Sequence, residues 1–357
     1  MAAVSEKTDK ILNTSSFSWK RVVLRTALFL CCCVLTAGIW LGIYGLSSGP
    51  ESGAKSVVVE FPPGTSLRGI GTKLAEAGVV HDDIRFALLT KLFGYGGKLK
   101  AGEFKVSTGR KPLEIIRELA KARPVQHAVT IPEGLNAREI GRIFAEGGWC
   151  DHERFERLAT DKKFIAALGF GDLNSLEGYL FPDTYHLTKD IHGEEELIRL
   201  MTKRFREVLR EVFPSPDDPA KLHDIVILAS MVEKETAKAE ERPVVAGVFY
   251  NRLKKGMRLQ SDPTVIYGMN DFSGNISRKD LQTPSSYNTY TVSGLPAGPI
   301  SNPGREALRA ALQPAETEYL FFVGKNDGSH QFSRTLDEHN QAVQKYQRKK
   351  SVKNGKG

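Results

Sequence analysis

Cysteine is almost missing from this 357-residue chain. Three of its four cysteines, Cys31, Cys32 and Cys33, stand together in one apolar run, and only Cys150 lies elsewhere. The part beyond that run can therefore form no internal disulfide. The eight histidines include no H-E-x-x-H and no pair at i, i+4, so metal-assisted chemistry has no recognisable ligand set. A G-x-S-x-G elbow is absent, and Cys150 has no base near it in sequence, which removes the usual settings for a nucleophile. P-loop and dinucleotide fingerprints are missing too, Gly64 to Gly71 being only superficially similar. Neither a metal nor a cofactor is expected.

Charge is missing from one stretch. Thr26 to Leu46 contains no Asp, Glu, Lys or Arg, and as a helix it spans about 30 Å, the thickness of a bilayer core. Lys7, Lys10, Lys20, Arg21 and Arg25 precede it against Glu6 and Asp9, while Glu51 and Lys55 follow. The positive-inside bias keeps residues 1–25 cytoplasmic and sends the chain from 47 onward outside, with Trp40 and Tyr44 suited to the outer interface. A cleaved signal peptide is the rival, but its apolar core is typically about 7–15 residues and ends in a small-residue site that is not found here. An uncleaved anchor over 26–46 is expected.

The net charge of +8 lies at the ends: the first 25 residues carry +3 and the tail from Arg348 carries +5. The neutral body between them gives no footprint for nucleic acid. The last residues, 346–357, are read as a basic disordered tail.

Beyond a Gly/Ser-rich linker over 47–55, strand and helix signals alternate, giving an α+β class. Ser56 to Phe61 reads as a strand, Pro62-Pro63-Gly64 as a turn, and Leu67, Ile70, Leu74 and Ala75 as one face of a helix. A second helix is expected over about Ile84 to Leu92 and a returning strand over Gly102 to Ser107. An internal repeat then appears at an offset of 70: Pro62, Gly64, Arg68, Ile70, Gly71, Ala75, Glu76 and Gly78 recur as Pro132, Gly134, Arg138, Ile140, Gly141, Ala145, Glu146 and Gly148. Two copies do not make a solenoid. They are either a repeated packing unit or a pair of modules for an extended polymer. From Gln260 to Gly304 the chain is rich in Asn, Ser, Thr, Tyr, Pro and Gly with little periodicity, which suits a functional loop region.

The candidate chemistry lies just before that region. From Ile225 to Val232 only Ser230 is not apolar, and Glu233 and Glu235 close the run. A carboxyl held where water is partly excluded has its pKa raised toward the range of a general acid. On a helical wheel the two glutamates flank the apolar stripe on opposite sides. Glu233 has Ala229 and Ala237 one turn away, which leaves room for a substrate, whereas Glu235 has the bulky Met231 before it. Spacing alone leaves open that both are solvated helix-end charges, with Lys234, Lys238 or Arg242 as partners.

Several motifs in order then resemble the YceG-like family of bacterial endolytic murein transglycosylases. They are Ala229 to Thr236; Tyr250-Asn251-Arg252-Leu253; Met257 to Gly268, including Gln260-Ser261-Asp262-Pro263-Thr264; Tyr287-Asn288-Thr289-Tyr290; and Gly294 to Gly304. Upstream, Glu177 to Tyr185 fits the same pattern. The resemblance implies a single N-terminal transmembrane helix in the bacterial inner membrane, a LysM-like module over 56–125, and a mixed α+β catalytic domain over 126–345. It also implies that Glu233 is the acid/base, with Glu235 supporting it. Asn251, Gln260, Ser261, Asp262, Tyr267, Asn288, Thr289 and Tyr290 would contact sugar, or else stabilise the loops that carry them. The implied partners are peptidoglycan strands and the penicillin-binding synthases that make them. A single carboxyl suffices if the substrate's own muramic 6-hydroxyl replaces water and closes a 1,6-anhydro ring. Two rivals remain: a non-catalytic wall-binding scaffold, and a hydrolase that pairs Glu233 with Asp262 or Glu177.

Overall fold

A computed structural model describes residues 19–51, 53–81, 84–191, 193–213, 219–269, 272 and 274–348. Most of the expected cytoplasmic N-terminus (1–18) and of the basic tail (349–357) lies outside the described residues. The chain divides into two compact units. One runs to Val125 and takes in Thr188–Asp190; the other holds Gln126–Leu187 and the chain from Ile191 on.

The first unit opens with α1 (Trp19–Leu46), whose 28 residues make it seven longer at its N-terminus than the uncharged run, so Lys20, Arg21 and Arg25 sit in its first two turns. Its mean hydropathy reaches 2.2 over 18 residues, and by length and composition it can cross a membrane. Tyr44 does not end at a lipid interface as expected. It is 1% exposed in the core of this unit, with the Arg85 guanidinium 4.5 Å from its ring. The stretch expected as a linker is tied down as well. Gly49 N–H donates to Arg110 at 3.2 Å, and Thr108 Oγ1 donates to the Gly53 carbonyl at 2.7 Å. β1 (Ser56–Phe61) pairs antiparallel with β2 (Gly102–Ser107), and α2 (Leu67–Glu76) and α3 (Ile84–Leu92) lie between them in sequence. α4 (Pro112–Leu119) follows. Alternate strand residues Val59, Phe61, Phe104 and Val106 meet Ile70, Leu74, Phe86 and Ile115 in one core, as period-2 and period-3.6 patterns require.

The second unit repeats the opening of the first. β3 (His127–Thr130) leads through a turn into α5 (Ala137–Glu146), and the bounds of α5 are those of α2 plus 70. Gly64 and Gly134 share a left-handed φ of 80° and 79°, as do Gly78 and Gly148 at 71° and 73°. α6 (His152–Ala159) and α7 (Lys162–Ala167) follow, and β4 (Thr184–Leu187) returns antiparallel to β3. The second copy is thus also closed by a returning strand.

Around the copy are α8 (Glu194–Val212), α9 (Pro219–Glu235), α10 (Arg242–Lys254), α11 (Asp262–Tyr267), α12 (Arg278–Gln282) and α13 (Arg305–Leu312). They are followed by the hairpin β5 (Phe321–Gly324) and β6 (His330–Ser333), and by α14 (Leu336–Val343). α9 is buried all round from Ile225 to Val232, against Phe205 and Val208 of α8, Val245 and Phe249 of α10, and Leu308 and Ala311 of α13. A helix apolar on every face belongs inside a core. Its last turn emerges with the two glutamates.

Candidate active site

The two glutamates leave α9 on opposite flanks and meet different surroundings. Glu233 is clamped. Its Oε1 lies 2.7 Å from Nη2 of Arg242, and its Oε2 accepts the Gly304 N–H at 2.9 Å. Both side chains of this pair are nearly inaccessible, at 8% exposure for Arg242 and 5% for Glu233. Burial raises the Glu233 pKa, while the Gly304 N–H and the Arg242 charge pull it back. An arginine arriving from α10 and backbone at the end of the long loop thus take both carboxyl oxygens of Glu233.

Glu235 is met by a partner of a different kind: Ser261 Oγ donates to its Oε1 at 2.5 Å. Burial pushes its carboxyl up to about 7, with the neighbouring Asp262 charge adding to the rise. The Ser261 hydroxyl and the more distant His330 and Arg252 oppose it. A carboxyl near 7 holds its proton for a large part of the time at neutral pH and can give it up, the property wanted of a general acid.

The loop region is wired to these carboxyls through α11. Ser261 is the N-cap of α11, and its N–H donates to Thr289 Oγ1 at 2.9 Å, while Thr289 and Thr264 hydroxyls meet at 2.8 Å. Tyr290 OH donates to Asp262 Oδ1 at 2.6 Å. Gln260, exposed, has a left-handed φ of 47°, uncommon outside glycine, so the backbone is held in a strained form directly before Ser261. Ser261, Asp262, Gln260 and Tyr290 thus gather around Glu235.

The other expected contacts have their polar atoms committed elsewhere. Asn251 Nδ2 donates to the carbonyls of Thr317 and Tyr319, at 2.7 and 3.1 Å. Buried Asn288 donates to the Thr283 carbonyl at 2.7 Å and accepts the Tyr290 N–H at 2.9 Å. Thr289 is fully buried. Tyr267, at the far end of α11, donates from its OH to Glu177 Oε2 at 3.1 Å.

Glu177 is the functional-looking group that spacing gave least reason to single out. It is 4% exposed and accepts from the Ala137 N–H, from Asn302 Nδ2 at 2.7 Å and from Tyr267. Burial pushes it to about 7. Asn302 also accepts the Leu180 N–H at 2.9 Å, and two residues later Gly304 reaches Glu233. One short segment therefore ties the Glu177 turn to the end of α9. A second pair stands behind Glu235. Glu241 Oε2 lies 2.7 Å from His330 Nδ1 and accepts from Thr236 Oγ1 at 3.3 Å. Among the described residues no cluster of His, Cys, Asp and Glu could hold a metal ion.

The order of these motifs matches a known family along most of the chain. The YceG-like family model covers residues 59–345. The chain belongs to the YceG-like family. An endolytic murein transglycosylase of Bacillus subtilis (strain 168) is 32% identical over 337 residues, covering 90% of this chain and 93% of its own. One of Streptococcus pneumoniae (serotype 2, strain D39) is 29% identical over 362 residues; the match covers 91% of this chain but 65% of that longer relative. The crystal structure of a YceG-like protein from Listeria monocytogenes superposes with a TM-score of 0.55 at 31% identity. It covers 81% of this chain and all of its own. The mixed α+β architecture is thus that of the YceG-like fold.

Proposed function

We propose that this YceG-like chain is an endolytic murein transglycosylase, a lyase that cuts the bond between N-acetylmuramic acid and N-acetylglucosamine inside glycan strands. The observation that carries the reading is the Glu235 carboxyl, raised to about 7 and held by the Ser261 hydroxyl beside the polar loop. Relatives over nine-tenths of the chain bear the name of that activity.

The acid we favour is Glu235 rather than Glu233. Glu233 has both carboxyl oxygens engaged, by an arginine at 2.7 Å and by a backbone N–H that oppose the rise burial causes, which suits a residue that fixes the end of α9. Protonated Glu235 would give its proton to the glycosidic oxygen as the C1–O bond breaks. Its carboxylate would then take the proton of the muramic 6-hydroxyl as that oxygen bonds to C1, leaving a 1,6-anhydro end and a neutral acid again. The proton returns to its starting atom and no water is consumed. Gln260, Asp262 and Tyr290 would hold the sugars at this point, with buried Ser261 orienting the Glu235 carboxyl. Asn251, Asn288, Thr289 and Tyr267 serve by fixing the loops, since their polar atoms already have protein partners.

The same reading assigns α1 as an inner-membrane anchor with the N-terminus cytoplasmic, so that cleavage falls on strands newly made at the bilayer, beside penicillin-binding synthases. The β-α-α-β order of residues 56–125 supports a LysM-like, glycan-holding role for the first unit. Digestion of purified murein by the detergent-solubilised chain, with mass spectrometry of the new ends, tests the function. Anhydro-muramic ends lost in Glu235→Gln support it; reducing ends would indicate a hydrolase instead, and binding without cleavage a scaffold.

A further inference from the structure

The second copy of the repeat carries a cleft that the acid at Glu235 does not use. It has a volume of about 690 Å³ and lies where the start of α5 and the end of α6 face α11 and the chain after it. Its walls include Arg138, Arg157, Thr160, Ile266, Tyr267 and Met269, with Glu177 at its base. Asp262, Ile266 and Met269 stand at i, i+4 and i+7, so the side of α11 that begins beside Ser261 and Glu235 continues into this cleft. The run from Asp262 to Met269 spans roughly 10 Å at helical rise, the scale of a disaccharide.

The chemistry of the walls says what would lie there. Arg138 Nε is engaged by Glu156 at 2.6 Å, and Arg157 by Glu153 at 3.4 Å, so both cations facing the cleft are already neutralised. Hydroxyls, paired charges, one tyrosine ring and the aliphatic sides of Ile266 and Met269 make a lining that is polar, nearly neutral and partly flat. That composition suits N-acetyl sugars, which offer hydroxyls and amides along their edges and C–H faces for an aromatic ring. It does not suit the carboxylate-rich stem peptide, which needs an unpaired cation.

We propose that this cleft is a glycan subsite of the catalytic unit, holding saccharide units of the strand next to those at Glu235. The proposal rests on the reading of Glu235 as the acid of a murein-cleaving site. With the strand gripped on α11 and in the cleft, internal stretches of a long strand would be held better than its ends. The second copy of the repeat then has a task of its own, as a wall of the substrate groove.

The test uses glycan strands stripped of stem peptides by an amidase, and the full chain in detergent carrying Glu235→Gln to stop turnover. Binding is measured by titration calorimetry in that background, and again with Thr160→Trp or Arg157→Trp added. Both positions are exposed, so a bulky ring enters the cleft from outside the core. Equal melting temperatures verify that the fold is kept. The expected result is a Kd about tenfold weaker in both filled chains. Equal affinity in all three, or no binding of stripped strands to the background, overturns the proposal. The reading of the function fails separately, if the unsubstituted chain makes no anhydro ends from murein.

Discussion

Arg242 lies 2.7 Å from Glu233, whereas Glu235, two residues further along the same helix, is met by the hydroxyl of Ser261. A guanidinium stabilises a carboxylate and a hydroxyl does so more weakly, so two neighbours with the same side chain are given different proton affinities. Burial raises both carboxyls, and the different partners that oppose the rise are what separate an acid role from a structural one.

The first prediction follows from that separation. Glu235→Gln should lower strand cleavage by about 10²–10⁴-fold, the usual contribution of a positioned acid, with little change in melting temperature. Glu233→Gln should retain measurable cleavage and instead lose about 1–3 kcal/mol of stability, because buried Arg242 loses its nearer carboxylate and keeps only Glu133, at 3.4 Å. Anhydro-end formation and denaturant unfolding, measured on both variants, check the pair. The opposite pattern, with Glu233→Gln dead and Glu235→Gln active, restores the assignment expected from the sequence.

The wheel placed the two glutamates on opposite flanks of α9, and they do lie there; what it could not supply was the company each keeps. Arg242, nine residues on, was among the basic neighbours that spacing offers, whereas Gly304 comes from seventy-one residues away and has no local signal. The repeat was legible because its glycines and helix spacing are local, and α5 starts where α2 predicts. The loop from Gln260 to Gly304 was legible as a polar, irregular stretch, but the partners of its side chains were not. Asn288 and Thr289 look like sugar ligands by residue type, and their hydrogen bonds go to the loop itself. Glu177 stood out in the sequence only through its motif and as a candidate second carboxylate, because a carboxyl buried by tertiary packing carries no periodicity.

Cleavage should fall as pH rises. The acid must be protonated at the start of the reaction, and burial holds Glu235 near 7, so kcat/KM should decline through about pH 7 and be highest below it. Asp262→Asn removes a negative charge that raises Glu235, and should move the declining limb toward lower pH. A pH–rate series on both chains reads the shift; a limb that moves upward in Asp262→Asn contradicts the electrostatic account.

Glu177 gives a stability prediction with a defined sign. Its carboxyl is raised from 4.5 to about 7 in the folded chain, so the folded state binds the proton more tightly than the unfolded one. Its contribution is then fully present below about pH 4.5 and is lost as pH rises through 7, an effect of about 3 kcal/mol. Glu177→Gln should be less stable at pH 5, since its amide would face the Asn302 and Ala137 donors, and should depend less on pH between 5 and 7.5. Urea unfolding at those two pH values, compared between the chains, isolates the term from the other titrating groups.

Gly178, the residue after this carboxyl, should resist even the smallest side chain. Its φ is 86°, and a Cβ there would lie 2.7 Å from Pro299 and from Val226. Gly171 is a matched control, with φ of 63° and open space around its Cβ position. Each alanine substitution incurs backbone strain of about 1–3 kcal/mol. Only Gly178→Ala also pushes α9, through Val226, away from the segment leading to Asn302, adding about 1–3 kcal/mol of overpacking. Because that contact lies between Glu177 and the helix carrying Glu233 and Glu235, Gly178→Ala should lose cleavage activity as well as stability, while Gly171→Ala loses stability alone. Equal unfolding midpoints for the two variants would mean that the packing at Gly178 yields, and that the close approach does not hold the end of α9 in place.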